Sequence, residues 1–198
     1  MKEQFEWIHS WCDDTAKNDL PRVLLVGDSI THNYQEIVRE LLRGICYVDY
    51  ISTSYAIDTI MYNRLIEGFM LDSKYDLIHF NHGLHGIHMA KRSYKSRVLK
   101  LLAKVEEKSK IVLAKTTVVY KQGNKRLDSA WMKRVKERND AMGEIASERG
   151  YSIDDLFSVS LSIPRNDRYE DGTHYLKGGN EIFAKAVSEC IKKELEKQ

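Results

Sequence analysis

The sequence predicts an α/β domain, a three-layer sandwich with a central parallel sheet of about five strands. Three observations carry that expectation. Short continuous apolar runs such as Val23 to Val26 alternate with amphipathic stretches at helical period, the pattern of strands buried on both faces by crossover helices. Only two prolines interrupt the 198 residues. No repeat, low-complexity stretch or linker divides the chain, so its length fits a single domain spanning residues 1–198.

The elements follow in order. Phe5, Ile8 and Trp11/Cys12 recur at helical spacing and predict a short N-terminal helical cap within residues 1–20. Val23 to Val26 reads as the first buried strand and Tyr34 to Leu42 as a helix. Cys46 to Ile51 is the second strand, Thr59 to Phe69 a helix, Leu77 to Asn81 the third strand, and Tyr94 to Glu107 a helix. Ile111 to Ala114 is the fourth strand. Ser129 to Arg149 is a long helix stopped by Gly150, a residue favoured just past helix ends. Tyr151 to Ile153 supplies a fifth strand, and the last helix runs from about Gly179.

Composition narrows the function classes. The 31 basic and 29 acidic residues nearly cancel and form no long stripe outside the Lys-rich C-terminus, which argues against nucleic-acid or membrane-surface partners. Cys12, Cys46 and Cys190 are odd in number and widely spaced, so neither a disulfide framework nor a CxxC metal site is expected. A reducing compartment, the cytoplasm, is the expected location, since "MKEQFEWIHSWCDD" has no apolar signal region.

In parallel sheets the binding crevice lies at the carboxyl ends of the strands. There the first strand stops abruptly at Gly27-Asp28-Ser29. Read alone, this is equally a helix cap or a way of presenting one hydroxyl near a helix N-terminus, where free N–H groups favour negative charge. Far downstream, "EDGTHYLKGG" places Asp171 and His174 three apart in a loop before the last helix. A carboxylate there can orient an imidazole that takes a proton from a serine.

Together "GDSI" and "DGTH" resemble the first and last blocks of the SGNH hydrolases, a branch of the GDSL esterases and lipases. The resemblance runs from Arg22 to the C-terminal helix and implies a flavodoxin-like sheet. It also implies a Ser29–His174–Asp171 triad and hydrolysis of carboxylic esters without metal or organic cofactor. In that family a Gly backbone N–H and an Asn side chain join the serine N–H in the oxyanion hole. The alignment puts Ser54 of "VDYISTSYA" on the Gly and His85 of "DLIHFNHGLHG" on the Asn, giving an expected hole of Ser29, Ser54 and His85, with Asn81 as the fallback donor.

Asp28, Asn81, Tyr55 and Arg165 are further candidates for substrate contact, as are Tyr34 and Arg168. Each also has a plainer role: Asp28 bracing the turn, the tyrosines packing, the arginines solvated beside the loop. His79, His82, His85 and His88 recur every three residues, but Gly83 and Gly86 and the preceding strand favour packing around the crevice over a zinc site. "RNDAMGEIASERG" reads as a surface helix without chemistry. The expected substrate is a small-molecule or carbohydrate ester, favoured as a short-chain O-acyl sugar. A lipid or thioester acyl hydrolase and a silent ligand-binding module are the competing readings.

Overall fold

The computed structural model describes residues 4–123 and 125–197. Its strands are β1 (Ile8–Trp11), β2 (Arg22–Gly27), β3 (Tyr47–Thr53), β4 (Leu77–Asn81), β5 (Lys110–Ala114) and β6 (Ser152–Asp154). The helices are α1 (Ser29–Leu41), α2 (Ile60–Asp72), α3 (Lys91–Leu102), α4 (Ser129–Arg149), α5 (Leu156–Ser162) and α6 (Lys177–Glu196). The sheet order is β1-β3-β2-β4-β5-β6, parallel from β3 to β6, with β1 antiparallel on β3.

The apolar runs form strands because the pleat sends alternate residues to two cores. Leu24 and Val26 of β2 meet Ile66 of α2, Val98 of α3 and Ile145 of α4 in one cluster. Val23 and Leu25 join Val38 of α1 and Phe183 of α6 in the other. Helices therefore cover both faces. The chain leaves β2 for β3 on one side and returns to β4 on the other, which makes the carboxyl end of β2 the topological switch point.

The N-terminus departs from the expectation. Where a helical cap is predicted within residues 1–20, Ile8–Trp11 is an edge strand, raising the sheet to six strands; residues 1–3 of that segment lie outside the described residues. The apolar residues fit a helical spacing over too few turns to decide, whereas a second, two-residue period is satisfied by tertiary contacts. The Trp7 and His9 rings lie 6.3 and 4.2 Å from His32 of α1, and Arg39 of the same helix stacks 4.9 Å from Trp11. Pairing also covers backbone groups of β3 that a helix would leave bare. A second addition is α5, capped by the Asp155 carboxylate, which accepts from Ser158 N–H at 3.2 Å.

Opposite the switch point, Arg22 ties the loop after β1 to the start of β2. Its guanidinium donates to the Asp13 carbonyl at 2.7 Å and to Asp49 Oδ1 at 2.8 Å, and Tyr75 donates to Asp49 Oδ2 at 3.0 Å. Asp49 is buried. Replacing Arg22 with Met strands that carboxylate, and the expected cost is about 3–5 kcal/mol in urea denaturation. Because the pair sits at the amino end of the sheet, the folded variant should keep its activity.

Candidate active site

Gly27 ends β2 where there is no room for a side chain. A Cβ would lie 1.9 Å from Thr31 Oγ1 and 2.7 Å from the Asn81 carbonyl oxygen. Asp28 then caps α1, its carboxylate accepting from Ile30 N–H at 3.0 Å. Leu84 N–H from the loop after β4 binds the same carboxylate. Burial raises the pKa of Asp28, and the nearby His85 and His174 offset part of that rise. Asp28 is only 2% exposed, so it joins the serine turn to the His85 loop and is not a substrate contact.

Ser29 is the first residue of α1, a position whose backbone N–H has no carbonyl one turn back to bind. Its hydroxyl lies 2.7 Å from His174 Nε2, and His174 Nδ1 lies 2.6 Å from Asp171 Oδ2. An ionised carboxylate can only accept, so Nδ1 carries the proton and Nε2 accepts from Ser29. Asp171 Oδ1 also accepts from the N–H groups of Thr173 and His174, at 2.8 and 2.9 Å. Burial pushes the Asp171 carboxyl up, but the His174 ring and these N–H donors outweigh it and hold it below its ordinary value.

The loop that carries the pair is braced from the β5 side. Gly172 has φ +82°, and a Cβ there would lie 2.1 Å from the Tyr120 carbonyl oxygen. Tyr120 N–H donates to the Gly172 carbonyl at 2.8 Å. Arg168 stacks 4.1 Å from the Tyr120 ring and donates from Nε to the Ile163 carbonyl at 3.0 Å. Arg165 donates to the Gly123 carbonyl at 3.2 Å. Both arginines therefore hold loops together, the plainer of the two roles the sequence offers for them.

Ser54 also departs from its expected role. Its backbone N–H donates to the Trp7 carbonyl at 3.3 Å. Its hydroxyl donates to Glu6 Oε2 at 2.7 Å and accepts from Trp7 N–H at 2.9 Å. The donor expected in the oxyanion hole is thus engaged by the N-terminal segment. Asn81, the fallback donor, is buried at the end of β4, and its amide donates to Tyr34 Oη at 3.4 Å on the α1 side of the sheet. Tyr34 is itself buried there and presents no face to a substrate, while Tyr55 is half-buried and packs against the core of the other face.

The histidines disperse. His79 pairs with Asp154 at 2.9 Å in the core, and His88 with Asp58 at 2.8 Å. His82 is buried beside Tyr62, and burial together with the neighbouring His85 pushes its pKa down to about 3, so it stays neutral. No group of three His, Cys, Asp or Glu is placed to hold a metal among the described residues. His85 remains beside the serine turn, its ring 6.4 Å from Trp7 in an edge-on contact and 5.8 Å from His82.

One contributor escapes the sequence reading. Arg138, in the segment read as a surface helix, is fully buried. It donates to the carbonyls of Gly86 at 3.1 Å and Met89 at 2.7 Å, fixing the loop that carries His85. It also stacks 4.4 Å from the Tyr94 ring, and Tyr94 donates to the His82 carbonyl at 2.6 Å. The signal was present: Arg138 is in phase with Val135, Met142 and Ile145 on the buried face of α4.

No protein-family model matches the sequence, and no curated protein matches it. Solved structures do. The acetylxylan esterase Axe2 from Geobacillus stearothermophilus superposes with TM-score 0.70 at 15% identity, covering 84% of this chain and 92% of that one. A lipase/acylhydrolase from Enterococcus faecalis gives 0.71 at 15% identity over 88% and 97%. A GDSL-like lipase from Bacteroides thetaiotaomicron gives 0.69 at 13% identity over 87% and 88%. With β1 set aside, the parallel order and these likenesses agree: the chain has the flavodoxin-like α/β fold of the SGNH hydrolases.

Proposed function

We propose that this protein is a serine esterase that hydrolyses short-chain O-acyl esters on carbohydrate through an acyl-Ser29 intermediate. The observation that carries the reading is the unbroken relay from Ser29 Oγ through His174 to Asp171, at 2.7 and 2.6 Å. Such a relay lets His174 take the hydroxyl proton as the oxygen attacks the ester carbonyl.

The carbonyl oxygen becomes an oxyanion beside Ser29 N–H and the His85 ring N–H. Collapse of the tetrahedral species breaks the bond to the alcohol oxygen, which leaves with the proton carried on His174 Nε2. Water then gives a proton to His174 and attacks the acyl carbon, and the second collapse returns that proton to Ser29 Oγ and releases the acid. His85 replaced by Ala should lower kcat by about 10²- to 10³-fold with little change in KM. Asn in the same place, which keeps an N–H donor, should retain more activity. Steady-state kinetics on p-nitrophenyl acetate separates the variants.

Support for a sugar ester is the likeness to an acetylxylan esterase. The lipase/acylhydrolase likeness keeps a lipid or thioester substrate as the second reading. Rates on p-nitrophenyl acetate, butyrate and octanoate, and acetate release from acetylated xylooligosaccharides, decide between them. Preference for acetate with release from the sugar supports the proposal. Preference for octanoate favours the acyl-lipid reading, and binding without turnover of any ester favours the silent module.

A further inference from the structure

We propose that Trp7 is a specificity-determining residue, the wall that closes the acyl side of the site and restricts it to short acyl groups. The inference rests on the serine-esterase reading and deepens it. His174 must protonate the departing alkoxide, so the alcohol half of a bound ester lies on the His174 side of Ser29. That side belongs to β5, because the base loop is bonded to Tyr120 just beyond that strand. The acyl half points the opposite way across the carboxyl end of β2, towards β3.

What stands on the β3 side is Trp7. Its backbone is anchored at both ends: N–H to Ser54 Oγ at 2.9 Å, and the carbonyl accepting from Thr53 Oγ1 at 2.7 Å and Ser54 N–H at 3.3 Å. Its ring lies 6.4 Å from His85, 6.3 Å from His32 on the first turn of α1, and 5.2 Å from His9. His9 stacks on His32 at 4.2 Å, so the indole is wedged between the oxyanion-side loop and the helix that begins with Ser29. A half-buried ring held on so many sides is a fixed boundary. Its proposed role is to leave room for acetyl and to block a longer chain.

The test is kcat/KM on p-nitrophenyl acetate, butyrate and octanoate for the full chain, Trp7→Phe, Trp7→Val and Trp7→Ala, with Ser29→Ala as control. The octanoate-to-acetate ratio should rise at least about 10-fold in Trp7→Ala and Trp7→Val, while Trp7→Phe stays close to the parent. Val suits an extended backbone, so it carries the test if the Ala variant does not fold. An unchanged ratio, or an equal fall on all three esters, overturns the wall while leaving the esterase reading intact if Ser29→Ala is inactive. A Ser29→Ala variant as active as the parent overturns the esterase reading itself.

Discussion

Ser29→Ala should lower kcat for p-nitrophenyl acetate by about 10⁴- to 10⁶-fold while the protein melts as the parent does. The size of the loss follows from what the hydroxyl does. It is the nucleophile and the proton source for His174, 2.7 Å away, so its removal ends both functions together. No neighbour can replace it from the same place, because Gly27 leaves no room for a side chain and the Asp28 carboxylate is engaged with two backbone N–H groups. Stability should change little, since Ala is acceptable in the first turn of a helix and Asp28 continues to cap it.

Asp171→Asn should reduce kcat by on the order of 10³- to 10⁴-fold with KM nearly unchanged, as for an interaction that matters in the transition state. The amide can donate to Nδ1, which favours the tautomer with its proton on Nε2, unable to receive one from Ser29. The pH behaviour follows from the same contacts. The Asp171 carboxyl sits below its ordinary value because bonds from the His174 ring and two N–H groups outweigh its burial. What those bonds add to stability is therefore present above the unfolded carboxylate value and lost only as pH falls through the lower folded one. Melting temperatures of parent and Asp171→Asn should accordingly converge towards acid. A variant whose kcat matches the parent from pH 5 to 8 would show that His174 is oriented by other means.

Much of this architecture was legible in the chain because parallel strands buried on both faces leave a plain mark. Val23 to Val26, Leu77 to Asn81 and Ile111 to Ala114 all lie within or along the strands found. Strand β1 left no such mark. Its four residues are exposed, and their fit depends on α1 and the free edge of β3, neither visible locally. Arg138 was misread because a buried cation violates the usual polarity pattern, although its phase on α4 was correct.

The site divides in the same way. Ser29 and His174 lie 145 residues apart, and the sequence connected them through their places at strand ends and the family resemblance. Ser54 was aligned with a backbone donor, but an N–H is available only if nothing else binds it. Trp7, 47 residues earlier, does so, through a segment outside the blocks that carry the resemblance. Tertiary contacts of this kind are set by which edges the fold leaves open. Local pattern carries no record of them.

The most direct measurement is intact-mass and peptide analysis after treating the protein with a fluorophosphonate, which transfers its phosphonyl group to a serine activated by a base and releases fluoride. One adduct is expected, on the peptide containing Ser29, with no labelling of Ser29→Ala and sharply slowed labelling of His174→Ala. An unlabelled parent, or an adduct on another residue that survives in Ser29→Ala, would contradict a Ser29 nucleophile.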